Sequence, residues 1–438
     1  MSRDAASKIA SKTAREIANK TVSNAAKISV LFILPDLSGG GAERTIINIL
    51  QHIDRDRFLP YLGLLSATGE YLKLIPPNDI TIIELPKWLS HSANMPSNSV
   101  HTLQLQSLLP RLLRVPASIY QIRALVTQLD PDIVLSSMTG LNVLTAIALK
   151  LQTKRSIRWI AREGNNFRVN LERLVKHSGL RTLVLKMIQI SYRQTDRILT
   201  ISQGSRTEVI QLFKLPPHQV AHIYNPVNLS QIQRSHQTKS KNHTQPLLLS
   251  NDGKYIVAVG RLQPQKGFKY LLKALHICHH QHGLDDLNLI ILGEGNLRPQ
   301  LEQQIQTLQL HEHVTLAGFV ENPWRYIQAA EAFVLSSLWE CFAHVVVEAM
   351  ACNVPVVATA CDYGPQEIID NKATGILVQP QDAEALAQAI AHIITNPIQA
   401  ANLVKNAAKR AQDFDAAKIT HEYESLFQDV IAHNRKKT

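Results

Sequence analysis

Short apolar runs alternate with longer segments whose apolar residues recur at helical spacing along most of this chain. The first run, Val30 to Leu34, is continuously apolar and predicts a strand buried on both faces. Ile46, Ile47, Ile49 and Leu50 follow at the spacing of one helix face. FLPYLGLL, ITIIEL, IVLSSM, IRWIA and ILTIS are the next strand candidates. Strands alternating with helices read as βα units on a parallel sheet. IYNPVN, Ile223 to Asn228, reads as a turn closing this first unit, and the polar, aperiodic stretch after it reads as a linker. A second series begins at KYIVAVGRL and continues through NLIILGEG, HVTLAGFV, AFVLSS, PVVATA and ILVQ. The expected organisation is α/β, with two Rossmann-like domains at residues 28–228 and 254–400. A mobile tail (1–27), the linker (229–253) and a C-terminal helical segment (401–438) complete it. No repeat of solenoid length is present.

A chain of 438 residues is long for a single core, which agrees with two domains. Its four cysteines form no C-x-x-C pair, so they read as small buried hydrophobes in a reduced protein. The longest candidate membrane span, residues 133–151, is broken by Ser136, Ser137, Thr139, Gly140 and Asn142 and reads as strand, loop and helix. The first apolar run starts only at Ile28, and Asp4 and Glu16 interrupt the tail, so no secretory or targeting signal is expected. The formal net charge of +11 is concentrated. Between Lys154 and Lys214 the only acids are Glu163, Glu172, Asp196 and Glu208. Such a face suits nucleic acid, an anionic membrane or a phosphorylated acceptor, or is simply solvated.

The chemistry concentrates in three places. SSLWECFAHVVVEAMACNVP, Ser336 to Pro355, carries Glu340 and Glu348 with seven residues between them. A strand precedes them, and a helix is expected from about Ala343 to Cys352, with Asn353 in the left-handed conformation that ends it. A strand-to-helix junction at the carboxyl end of a parallel sheet is where such folds bind ligands, and its helix N-terminus suits a phosphate. VGRLQPQKGF places Arg261 and Lys266 after a strand, where a guanidinium fork and an ammonium can clamp a diphosphate. GGGAER, Gly39 to Arg44, is a loop that lets backbone approach a ligand. Glu43 and Arg44 read equally as a local ion pair or as acceptor contacts.

Together these segments resemble family 4 glycosyltransferases, which have the GT-B fold. SSLWECFAHVVVEAMACNVPVVA follows the pattern S-x-x-E-G-F-G-x-x-x-x-E-A-M-A-x-G-x-P-V-V-A, with Cys341, Ala343 and Asn353 where the family has glycine. VGRLQPQKGF follows G-R-L-x-x-x-K-G, GGGAER follows G-G-A-E-R, and CDYGPQEI, GEG and AGFV fit as well. The resemblance spans about Ile28 to Ile394. It implies a nucleotide-sugar donor, retention of anomeric configuration, and neither cofactor nor metal. It places Glu348 on the ribose and Glu340 on the donor sugar, with Arg261 and Lys266 stabilising the departing diphosphate. Gly40, Gly41, Gly260, Phe319, Phe342 and Ala343 complete the donor side. Gly364 and Pro365 turn beside the nucleotide, and Glu367 takes a structural or helix N-terminal role. Many members carry a histidine in the first domain near the reaction centre. Here that region reads AREGNNFR, whose Arg162, Asn165 and Asn166 are polar groups expected to face the acceptor.

GGGAER and CDYGP are similar to members that build bacterial surface polysaccharides on lipid-linked diphosphates. A glycan or lipid-linked acceptor is therefore expected, at an anionic membrane surface on the cytoplasmic side, with no nucleic acid partner. Two alternatives stand beside this reading: a sugar-nucleotide epimerase of the same architecture, and a non-catalytic basic membrane-binding protein. Three D-x-D matches (Asp54/Asp56, Asp130/Asp132, Asp413/Asp415) are expected in turns or helices away from the site, HICHHQH at the exposed end of a helix, and no hydrolase partners surround Ser202 and Ser205.

Overall fold

The computed structural model describes residues 27–38, 40–75, 80–84, 105–152, 157–164, 166–175, 177–237 and 254–435. The tail expected over 1–27 lies outside them apart from Lys27. Two parallel sheets form, each covered by helices on both faces. The first holds β1 (Ile28–Leu34), β2 (Phe58–Leu64), β3 (Thr81–Glu84), β4 (Ile133–Ser137), β5 (Arg158–Glu163), β6 (Arg197–Thr200) and β7 (Val220–His222). Their order is β3-β2-β1-β4-β5-β6-β7. Val30 to Leu34 are wholly buried, and alternate residues feed two cores: Val30, Phe32 and Leu34 on one face, Leu31 and Ile33 on the other. β7 was not foreseen; three residues at a sheet edge leave too short an apolar signal.

The second sheet holds β8 (Tyr255–Val259), β9 (Asn288–Leu292), β10 (Val314–Gly318), β11 (Ala332–Leu335), β12 (Val356–Thr359) and β13 (Ile376–Val378), in the order β10-β9-β8-β11-β12-β13. In both sheets the strand order reverses beside the first strand of the unit, which opens a crevice at the carboxyl ends. The two crevices face each other.

The chain crosses between the units twice, and the linker reading changes accordingly. Residues Leu229–Gln237 are helical, and Ile232 is buried in the second unit's core. The expected C-terminal segment divides: the helix Pro397–Ala411 packs on the second unit, while Ala416–Arg435 returns to the first. On this last helix Ile419, Tyr423, Leu426 and Phe427 are buried against β1 and β2, and Phe427 meets the rings of Phe32 and Phe58 at 6.1 and 5.9 Å. Each such side chain contributes ~1.5–3 kcal/mol of burial, so the returning helix is integral to the first unit. The crossings are bonded to each other: Val227 N donates to Phe414 O (2.8 Å) and Ala416 N to Val227 O (2.9 Å).

Candidate active site

The second unit's half of the crevice is built by two loops fastened together. After β8 the chain runs through Gly260 and Arg261 into the short helical turn Pro264–Lys266. A Cβ on Gly260 would stand 2.8 Å from the Lys266 Cε, so glycine gives the lysine stem its room. After β11 the chain runs through Ser336 and Glu340 to the helix His344–Ala351, capped by Ala343. Leu338 N donates to Gln265 O (2.7 Å) and Ser336 Oγ to Lys266 O (2.8 Å). Lys266 Nζ is thereby held 2.5 Å from Glu340 Oε1, which also accepts from Ser337 Oγ at 2.9 Å. Arg261 is exposed and has no ion-pair partner among the described residues. The site therefore offers one free guanidinium beside one ammonium neutralised by a carboxylate.

The helix ends as its sequence predicts: Cys352 caps it and Asn353 takes φ +59°. Of the three positions where the family has glycine, only this one needs a positive φ, and asparagine tolerates it. Ala343 sits at φ −101°, where alanine costs nothing. All four cysteines are buried, and burial pushes the thiols of Cys278, Cys352 and Cys361 up to about 12, as inert packing groups require.

Glu348 is buried on this helix and accepts from Trp324 Nε1 (3.3 Å) and from Arg44 Nη1 of the opposite unit. Arg44 therefore pairs with Glu348 and not with Glu43, and the local ion pair considered from sequence is absent. Burial instead raises the pKa of Glu43. Gly40 and Gly41 lie where β1 leads into the helix Gly41–His52, opposite the donor-side helix. A Cβ on Gly41 would come within 3.2 Å of the His344 ring, and Thr45 Oγ1 lies 3.5 Å from His344 Nε2. His344 went unnoticed in the sequence because it fills a variable position of the motif. Burial first, then Arg44, Arg162 and Lys266, hold its pKa well below the usual histidine value, so it is a neutral imidazole at neutral pH. Trp324 was missed too, as it belongs to no motif.

Other expected residues take structural places. Arg162 is wholly buried, donating to Ser137 Oγ (3.1 Å), Tyr423 OH (3.2 Å), Thr45 Oγ1 (3.3 Å) and Asn225 Oδ1 (2.5 Å). It ties the returning helix to the sheet, and its guanidinium does not face an acceptor. Asn166 caps the helix Phe167–Leu174 by accepting from Val169 N at 3.1 Å, and Asn165 lies outside the described residues. Phe342 packs against Phe414 and Tyr224 at the crossing point and against the His344 ring (5.1 Å). Phe319 is exposed after β10. Gly364 lets its helix pack on the Cys341–Phe342 backbone, which a Cβ would approach to 2.6 Å. Glu367 does serve a helix N-terminus, but the other unit's: it accepts from Gln203 N and Gly204 N, both at 2.8 Å. Asp132 binds Ser29 at the amino end of β1, the sheet edge away from the crevice, and Asp413 pairs with Arg410 and Lys418.

A crevice between two doubly wound units, with cations after one strand and two carboxylates, one before and one within the facing helix, has the architecture of a GT-B enzyme. Comparison with known proteins agrees. Residues 39–231 match the model "Glycosyltransferase Family 4", and residues 239–410 match "Glycosyl transferases group 1". The chain belongs to the family 4 glycosyltransferases. It is 27% identical over 388 residues to the Campylobacter jejuni N-acetylgalactosamine-N,N'-diacetylbacillosaminyl-diphospho-undecaprenol 4-alpha-N-acetylgalactosaminyltransferase, covering 88% of this chain and 95% of that one. It shares its fold with Anabaena HepE, solved with UDP-glucose (TM-score 0.68, 22% identity, 94% of this chain and 100% of that one). Sucrose-phosphate synthase of Thermosynechococcus elongatus is similar as well (TM-score 0.68, 20% identity, 93% and 100%).

Proposed function

We propose that this glycosyltransferase moves a sugar from a UDP-sugar to a lipid-linked diphosphate glycan, with retention and without a metal ion, while resting on the inner face of a membrane. The observation that carries the donor half is the free Arg261 beside the Lys266–Glu340 pair, close enough to Glu43 of the opposite unit to act on its carboxyl electrostatically. A donor diphosphate would lie between these cations and the N-terminus of the helix His344–Ala351, with its ribose at Glu348. The sugar hydroxyls would take the outer face of Glu340. As the glycosidic bond breaks, charge grows on the departing phosphate. Fixed cations in a closed crevice stabilise that charge without reorganising, an effect of several kcal/mol. UDP is the first nucleotide to test, because HepE was solved with UDP-glucose. The acceptor half rests on the Campylobacter relative, whose name specifies a diphospho-undecaprenol acceptor. No described helix is long and apolar enough to cross a membrane.

The test incubates the purified protein with radiolabelled UDP-sugars and a bacterial lipid extract. Label is expected in the organic phase, with one equivalent of UDP released and no loss on adding a chelator. Release of free UDP without labelled lipid would favour the epimerase or a hydrolase. Loss with chelator that Mn²⁺ restores would reject the metal-free reading.

A further inference from the structure

Eight of the twelve exposed large hydrophobic side chains among the described residues lie on or beside three neighbouring helices of the first unit: Leu105–Leu129, Thr139–Lys150 and Ser178–Tyr192. The third helix alone carries Leu180, Leu183, Met187 and Ile190, spaced along one face and 49–56% exposed. Ile147 lies on the helix packed beside it, and Leu151 caps that helix. A contiguous apolar surface of this kind marks an interaction site.

A cavity of about 590 Å³ opens onto it, within the ~300–1,000 Å³ range of small-molecule sites. Met138, Val143, Phe167, Leu171 and Met187 are among the residues that line it. Met187 contributes to both the cavity and the exposed stripe, so the two are continuous. Met138 and Phe167 follow β4 and β5, and β4 adjoins β1, the strand that leads into the Gly40–Gly41 loop. The cavity thus lies on the same sheet rim as the crevice, on the acceptor's side.

The charge around it selects the occupant. Between residues 177 and 195 there is no acid, while Lys186 and Arg193 are exposed and Arg181 is half-buried. The stretch 154–214 spends other cations internally: Arg158 pairs with Asp196, Arg162 is buried and Arg206 binds carbonyls. Of the described cations left outside, Lys186, Arg193 and Arg181 lie on or beside the apolar helix, and Arg168 lies on the helix that lines the cavity, which also bears the exposed acid Glu172. An apolar stripe edged with cations fits an anionic bilayer surface.

We propose that this cavity holds the proximal hydrocarbon of a polyprenyl diphosphate acceptor, with the stripe from Leu180 to Ile190 seated in the lipid surface. The acceptor's headgroup then reaches along the sheet rim to the crevice while its chain leaves toward the bilayer. This rests on the lipid-linked acceptor reading given above.

The experiment measures binding of geranylgeranyl diphosphate and of inorganic diphosphate to the full chain, saturated with UDP to occupy the donor cations. The prenyl compound is expected to bind at least about tenfold more tightly, as burial of several CH₂ groups implies. Val143→Trp, which fills the cavity, is expected to remove that advantage while leaving UDP binding unchanged. Leu183→Glu with Met187→Glu, on exposed positions, is expected to weaken prenyl binding without affecting the fold. Equal affinity for the two probes, or wild-type prenyl binding by Val143→Trp, would overturn the proposal. So would equally tight, competing binding of phosphatidic acid, or concentration-dependent dimerisation through this face that prenyl diphosphate does not alter. Labelled sugar reaching a lipid extract without any prenyl advantage would overturn the cavity assignment and leave the transferase reading standing. Prenyl binding lost in Val143→Trp supports the assignment even where no tested donor is transferred.

Discussion

Arg44, in the first turn of the helix that follows the Gly40–Gly41 loop, forms an ion pair across the crevice with Glu348, the carboxylate proposed to hold the donor's ribose. One oxygen of Glu348 serves Arg44 and the other the Trp324 indole. Glu367 at the amino end of the Gln203–Phe213 helix, where it also accepts from Tyr224 OH (3.1 Å), and His344 against Gly41 join it among the contacts that hold the units face to face.

Arg44→Ala separates closure from donor affinity. The arginine side chain is 29% exposed but Glu348 only 2%, so the truncation leaves a buried carboxylate with the Trp324 indole alone and costs more than the ~1 kcal/mol of a surface pair. Turnover is expected to fall by about tenfold or more, while UDP affinity stays within about threefold of wild type. Parallel titration and steady-state kinetics check this. Loss of UDP binding in step with turnover would make Arg44 a donor ligand instead.

Arg261→Ala and Lys266→Ala are each expected to lower turnover by about 10²–10³-fold, as removal of one donor to a developing oxyanion does. The double variant should lose less than the product, since both act on one leaving group. Lys266→Ala also strips the partner from buried Glu340, so its unfolding midpoint should fall while that of Arg261→Ala, which has no partner to lose, should not. Near-normal turnover in both single variants would remove the diphosphate clamp.

Glu163 supplies a pH test independent of activity. It is buried beneath the acceptor-side rim, accepting from Thr139 Oγ1 (2.9 Å), Asn142 Nδ2 (2.8 Å) and Tyr192 OH, and burial pushes its pKa up to about 7. The unfolded carboxyl releases its proton near 4.5, so between these values the native state holds more protons and stability falls as pH rises. Relative to Glu163→Gln, wild type is expected to lose on the order of 3 kcal/mol between pH 4.5 and pH 8. Denaturant unfolding at several pH values checks it, and parallel curves for the two proteins would contradict it.

What the sequence disclosed follows from what it encodes locally. Val30 to Leu34 announces a buried strand because all five residues are apolar, and Asn353 announces a helix end because few residues tolerate its conformation. The returning helix shows an apolar face in Ile419, Tyr423 and Phe427, but periodicity does not say which surface covers that face. Arg162 is polar and sits at a strand's carboxyl end, which suggested an acceptor contact. Only the structure brings Tyr423 and Asn225 to its guanidinium. The Arg44–Glu348 pair joins residues 304 positions apart and has no local signature at all.

Titrating wild type and Glu348→Gln with UDP and with a UDP-sugar tests the donor site most directly. A hydrogen bond to a charged group is worth ~1.5–3 kcal/mol. Both ligands are therefore expected to bind the variant about tenfold or more weakly, and by the same factor, if Glu348 holds the ribose they share, as proposed. Wild-type UDP affinity in Glu348→Gln would contradict the placement of the nucleotide at this helix.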